Sequence, residues 1–101
     1  MKFNSQICTT KEQSERLLAL GLKKETADMH YQYYGGLLKI GPIEGINDIP
    51  AWSLHRLIEI VAHTQYPYYV ISKELPIYDA LCERIEWLIK EGYFNKEYLE
   101  E

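Results

Sequence analysis

"HYQYYGGLLKIGP", residues 30–42, decides the fold. Tyr31 and Tyr33 alternate with Gln32, which is the period of a strand, and Gly35-Gly36 supplies the positive φ of a two-residue hairpin turn. The stretch predicts two antiparallel strands at about residues 30–34 and 37–41. "GPIEGINDIP", residues 41–50, is rich in turn residues and ends the hairpin.

Outward from the hairpin the periodicity turns helical. Upstream, "TTKEQSERLLALG" sets Thr10 as N-cap with Gln13 three residues on, a capping box, followed by Leu17, Leu18 and Leu20 before Gly21. "LKKETADM" follows with no Gly or Pro inside and predicts a second helix of about two turns. Downstream, Pro50 suits the first position of a helix running through roughly Ala62. "YPYYVIS", residues 66–72, reads as a third strand that begins after Pro67 or lies at an edge. "PIYDALCERIEWLIKEG" predicts the last helix, entered at Pro76, with Leu81, Ile85 and Leu88 on one stripe, Trp87 at the margin of its core side, and Gly92 at its exit. The expected class is therefore α+β in the order ααββαβα. Residues 1–101 form a single domain with a small three-stranded, largely antiparallel sheet and helices covering one face.

A chain of 101 residues buries roughly two-thirds of its unfolded surface, enough for one core. Hydrophobic and charged fractions of 47% and 26% are those of a folded globular protein and argue against disorder. The net charge of −4 is uneven. Residues 1–50 carry six Lys/Arg against six Asp/Glu, and residues 51–101 carry five against nine. With Lys23-Lys24 as the longest basic run, phosphate neutralisation is weak and nucleic acid is an unfavoured partner. Cys8 and Cys82 are isolated and lack CxxC spacing, which argues against a zinc ribbon or redox motif, though a single bridge between them stays open. The first residues lack the apolar run of a signal peptide, and no stretch approaches the ~18 apolar residues of a membrane span. The expectation is a cytoplasmic protein with reduced thiols.

"HRLIEIVAH", residues 55–63, places His55, Glu59 and His63 on one row of the helix, opposite Leu54, Leu57, Ile58, Val61 and Ala62. A rise of 1.5 Å per residue separates His55 from His63 by about 12 Å, too far for one ion to use the whole row. His55 with Glu59 is at most half a site, so the row reads as a solvated face with a helix-supporting pair, and no metal or cofactor is predicted. Ser53, Cys8, Cys82 and Asp79 have no partner at nucleophile–base spacing, and the Asp79/Glu83 pair offsets a helix dipole. A phosphate-binding glycine loop is missing. The protein is not expected to be an enzyme.

Nine tyrosines remain to be explained. If Tyr31 and Tyr33 share a sheet face, and Tyr66 and Tyr68 share another, they build an aromatic platform that anchors a protein or stacks bases. The competing reading packs half the rings under helices. Trp52 falls on the outer side of its helix, four residues before Arg56, where a cation–π contact is in reach; alternatively it folds back as a lid on the core. The candidate contact residues are Tyr31, Tyr33, Tyr66 and Tyr68 on the sheet and Trp52, His55 and Arg56 on the helix.

Three stretches, "TKEQSERLLALGLKKETADM", "DIPAWSLHRLIEIV" and "ALCERIEWLIKEGYF", about half of the chain, resemble small proteins of prophage-like and mobile elements in Bacteroidetes. That family opens with a helix and an ETADM-like segment, has an IPxWSL-like helix start and ends on an amphipathic helix with an EWL-like stretch. It has no established activity, so the resemblance implies a context and no catalytic residues. The segment between Val61 and Pro76 is shorter here than the strand-rich middle of that family. The expected function is a non-enzymatic accessory protein that binds another protein. The alternatives are a single-stranded nucleic-acid or nucleotide module using exposed tyrosines, and a metal-binding or enzymatic role through His55 and Glu59. Open sheet edges also admit a second copy as partner.

Overall fold

The computed structural model describes residues 6–33, 36–41, 43, 45, 47–64 and 75–100. In chain order these hold helix α1 (Lys11–Ala19), a 3₁₀ turn (Lys24–Thr26), strands β1 (Met29–Tyr31), β2 (Leu38–Ile40) and β3 (Ile49–Ala51), helices α2 (Leu54–Ala62) and α3 (Ile77–Lys90), and a second 3₁₀ turn (Lys96–Tyr98). The strands form a three-stranded antiparallel sheet in the order β2-β1-β3, so the protein is α+β.

Local chemistry sets the helix ends. Thr10 Oγ1 accepts from the Gln13 amide at 3.1 Å while Gln13 Oε1 accepts from the Thr10 amide at 3.0 Å, which completes the capping box of α1. The helix stops at Gly21, whose φ of +97° lets the Leu22 amide reach back to Leu17 O and its own amide reach Leu18 O. α3 ends in the same way: Gly92 has φ +77°, Tyr93 N donates to Leu88 O, and Gly92 N donates to Ile89 O.

The second helix predicted over "LKKETADM" is reduced to one 3₁₀ turn. Tertiary pairing wins over propensity here: Leu22 bridges Leu99, and the Lys23 amide donates to Tyr98 O at 2.8 Å, which holds this segment extended against the C-terminal one. An antiparallel hairpin forms, but in another register: a two-residue turn at Gly35-Gly36 would set Tyr31 opposite Ile40, whereas Tyr31 lies opposite Leu38 and Gln32 N donates to Leu37 O at 2.8 Å. Gly36 takes φ +62°, and residues 34 and 35 lie outside the described residues.

The largest departure is at Pro50. It does not start a helix; it is the middle residue of β3, opposite His30. The bonds Gln32 N to Leu37 O and Gly41 N to Asp28 O show that even-numbered residues of β1 turn their peptide groups toward β2. Met29 and Tyr31 therefore bond β3 through Ala51 and Ile49, and the nitrogen of Pro50 faces away from β1, where a missing N–H costs no ladder bond. Beyond that edge the Thr9 amide donates to Trp52 O and Cys8 bridges Ser53. The helix begins only after Ser53, whose Oγ accepts from Arg56 N and whose own N–H and O–H donate to the Asp28 carboxylate. The third strand is thus residues 49–51, before α2. The strand predicted at 66–72 lies outside the described residues.

The main core is helical: Leu17 of α1, Leu57, Ile60 and Val61 of α2, and Leu81, Ile85 and Leu88 of α3 close around Trp52. A smaller cluster under the sheet joins Cys8, Met29 and Ala51 with Tyr31 and Leu38. Three expectations about faces are corrected. Ile60 is buried whereas Ile58 and Ala62 are exposed, because the helix packs its 57/60/61 stripe into the core beside α3. Trp87 is exposed, with the Arg84 guanidinium 4.6 Å from its ring and Tyr93 5.6 Å away. Trp52 is fully buried. Both cysteines are free and buried.

Candidate functional site

Two features of the surface concentrate chemistry. One is the free edge of the sheet at β2. Because Leu37, Lys39 and Gly41 turn their peptide groups toward β1, those of Leu38 and Ile40 point off the sheet. Ile40 is 88% exposed and Leu37 and Tyr33 are each 60% exposed. These are three of the four most exposed large apolar side chains among the described residues, the fourth being Ile7. Scattered apolar groups need no explanation, whereas three on one hairpin make a patch.

The edge is held in shape from both faces. On one, His30 is fully buried and its Nδ1 donates to Gly41 O at 3.0 Å, which a carbonyl can only accept, while Nε2 lies 4.0 Å from Asp48 Oδ2. Asp48 in turn accepts from Tyr33 N at 2.8 Å and Gly45 N at 2.9 Å, which ties the hairpin tip to the loop before β3. On the other face the Tyr31 hydroxyl donates to Thr9 O at 2.9 Å and lies 3.4 Å from Cys8 Sγ. Burial and the Cys8 contact push the Tyr31 hydroxyl up to about 12.

The other feature is a cleft of about 580 Å³ between the first 3₁₀ turn, α2 and the C-terminal segment. Arg56, Glu59 and His63 form the α2 wall, Lys23 and Thr26 a second, Tyr98 and Glu100 the third, with Ile60 at the floor. The opposite wall is fixed by the Lys23–Tyr98 bond and by Glu100 N donating to Gly21 O. His63 Nδ1 lies 3.1 Å from the Tyr98 hydroxyl, and Arg56 Nη1 lies 3.9 Å from Glu59 Oε1. The Arg56 Nε is buried without a hydrogen-bond partner among the described residues.

The structure separates the predicted contact residues. Trp52 leaves the surface: its indole N–H donates to Thr26 Oγ1 at 2.9 Å and its backbone N–H to Thr9 Oγ1 at 3.0 Å, so it belongs to neither a helix face nor a lid. His55 points to solvent, 83% exposed, with Nε2 3.2 Å from Glu59 Oε1. Arg56 turns into the cleft. The row His55, Glu59, His63 is thus divided: its first member is a solvated pair partner, and the other two line a cleft wall. Of the sheet set, Tyr33 is exposed, Tyr31 is half-buried and anchored by its hydroxyl, and Tyr66 and Tyr68 lie outside the described residues.

Leu37 and Ile40 were not among the predicted contacts, although the run Leu37-Leu38-Lys39-Ile40 is more apolar on both faces than a hairpin edge needs. The walls at Lys23 and Tyr98 had no sequence signal, since they meet only through the docked C-terminal segment. Among the described residues, no three His, Cys, Asp or Glu side chains converge as a metal ion requires, and no helix is long and apolar enough to cross a membrane. No protein-family model matches the chain, and no similar curated protein or solved structure is found.

Proposed function

We propose that this is a non-enzymatic accessory protein, phage- or mobile-element-like and cytoplasmic, that acts by binding another protein along the β2 edge. The observation that carries the reading is the combination of outward-facing peptide groups at Leu38 and Ile40 with the exposed side chains of Tyr33, Leu37 and Ile40. An extended segment of a partner adds main-chain bonds to such an edge and buries the apolar groups on either side of it. The other edge is taken, since residues 8 and 9 run along β3.

The side chains that nucleophilic chemistry would need are engaged elsewhere. Ser53 caps α2 and donates to Asp28, and burial raises the Cys8 and Cys82 thiols above their ordinary range. The resemblance of the three quoted stretches to small prophage-associated proteins supports an accessory role.

The test is capture from a lysate of the native host with the wild-type protein and with a Leu37→Asp/Ile40→Asp variant, both checked for native circular dichroism. Loss of the retained partner in the variant is the expected result; an unchanged set of retained proteins refutes the edge as the site.

A second reading, a small-ligand site in the cleft, is favoured by its volume, which falls within the roughly 300–1,000 Å³ of small-molecule sites. A metabolite set screened by thermal shift tests it. A hit whose shift disappears in Arg56→Ala and His63→Ala supports the cleft; hits unaffected by both variants place the ligand elsewhere.

A further inference from the structure

We infer that the segment bound at β2 is acidic as well as extended; this rests on the edge-binding reading above and adds the chemistry of the partner. The edge carries one cation on each face. Lys39 is exposed and shares a face with His30, its partner across the ladder. Lys11, exposed at the start of α1, reaches the opposite face: its Nζ sits 5.7 Å from the centre of the Tyr31 ring, and Tyr31 pairs with Leu38. The same ammonium approaches Gly36 at the hairpin tip, 3.5 Å from where a Cβ there would stand.

Neither ammonium has an ion-pair partner among the described residues, and Asp48, the carboxylate on the Lys39 face, is committed to the Tyr33 and Gly45 amides. Those amide bonds leave the Asp48 charge in place, so among the described residues Lys11 and Lys39 against Asp48 give this edge one net positive charge in a chain of net charge −4. A strand laid along Leu38 and Ile40 alternates its side chains between the two faces, so each face of the incoming segment passes a lysine. Carboxylates beside apolar residues match this pattern; lysines or arginines in those places meet like charge. The same argument disfavours a second copy as occupant, because self-pairing of β2 brings Lys39 of one chain close to Lys39 of the other.

The test uses short, end-capped synthetic peptides in which valine alternates with glutamate, with serine or with lysine, titrated into the ¹⁵N-labelled protein at low and at high salt. The glutamate peptide is expected to shift the Leu38 and Ile40 amide resonances and to bind about tenfold tighter than the lysine peptide at low salt, with the gap narrowing as salt screens the charges. Lys39→Glu, an exposed substitution that leaves the fold intact, is expected to weaken the glutamate peptide and strengthen the lysine one.

If the serine or lysine peptide binds as tightly as the glutamate peptide, the acidic preference is wrong while the edge stands as a docking site. If no peptide moves Leu38 or Ile40, the edge reading falls and the preference with it. Shifts at these two amides that grow with protein concentration alone make the occupant a second copy and overturn the proposal.

Discussion

The indole N–H of Trp52 donates to the Thr26 hydroxyl at 2.9 Å, and that hydroxyl donates onward to Lys23 O at 2.7 Å. One short chain of bonds thus joins the centre of the core to the wall of the cleft. Thr26→Val keeps the shape and leaves a buried N–H without an acceptor, at a cost of about 1–3 kcal/mol, whereas Thr26→Ser stays close to wild type. Urea denaturation of the two variants checks this; equal midpoints would show that the bond contributes nothing.

Ile58 and Ile60 differ by two positions and by their side of α2. Ile60 is 3% exposed and Ile58 39% exposed. Ile60→Ala is expected to cost about 2–4 kcal/mol through the cavity it leaves, and Ile58→Ala less than about 1 kcal/mol. The same denaturation experiment ranks them, and a reversed order would return α2 to the face predicted from its periodicity.

Burial pushes the Cys82 thiol from 9.0 up to about 11. A raised pKa means that the folded state favours the protonated thiol. This contribution is complete below the unfolded value of 9.0 and is lost as pH climbs toward 11. Cys82→Ala should therefore be less stable at neutral pH and should lose less stability than wild type across the alkaline range. At neutral pH, iodoacetamide is expected to modify Cys82 only at the rate of unfolding, as mass spectrometry of quenched time points would report.

Lys90, and then Arg16, hold the Glu86 carboxyl below the ordinary glutamate range through hydrogen bonds at 2.9 and 3.0 Å. The sign is opposite to that of Cys82. The contribution is present above the unfolded value and disappears as pH falls through the depressed folded one. Glu86→Gln should flatten the acid side of the stability curve, below the ordinary glutamate range, and leave the alkaline side unchanged. Parallel acid limbs for the two proteins would remove Glu86 from the account.

What was legible in the sequence was whatever is decided within one or two turns of chain. The Thr10–Gln13 box, the stops at Gly21 and Gly92, the entrance at Pro76 and the stripe Leu81, Ile85, Leu88 all depend on neighbours three to five residues away. The hairpin was legible for the same reason, but its register was not: pairing of Tyr31 with Leu38 and the bond at Gln32–Leu37 shift it by two residues from the one a Gly35-Gly36 turn sets. Pro50 and Trp52 were misread because their states depend on distant partners: Thr9, 43 residues from Trp52, and Thr26, 26 residues away. Pro50 fits a helix start as well as an edge strand whose nitrogen faces outward, and only β1 decides between them. The cleft was invisible because its walls meet through the Leu22–Leu99 bridge. The His55–Glu59 pair was legible, since that contact is local, whereas the cleft wall that Glu59 and His63 form was not.

The contacts that place α1 also set the order in which the molecule can assemble. Gln13 donates to Asp79 across 66 residues, and Arg16 donates to Glu86 across 70. During synthesis α1 therefore emerges long before the helix it leans on exists, and nine residues form only a marginal helix in water. Until α3 leaves the ribosome, Leu17 has no finished core to enter. The hairpin with β3 can close early through short loops, whereas docking α1 on α3 closes loops of 66 and 70 residues. Folding is thus expected to proceed from the sheet outward, with the first helix among the last elements to lock.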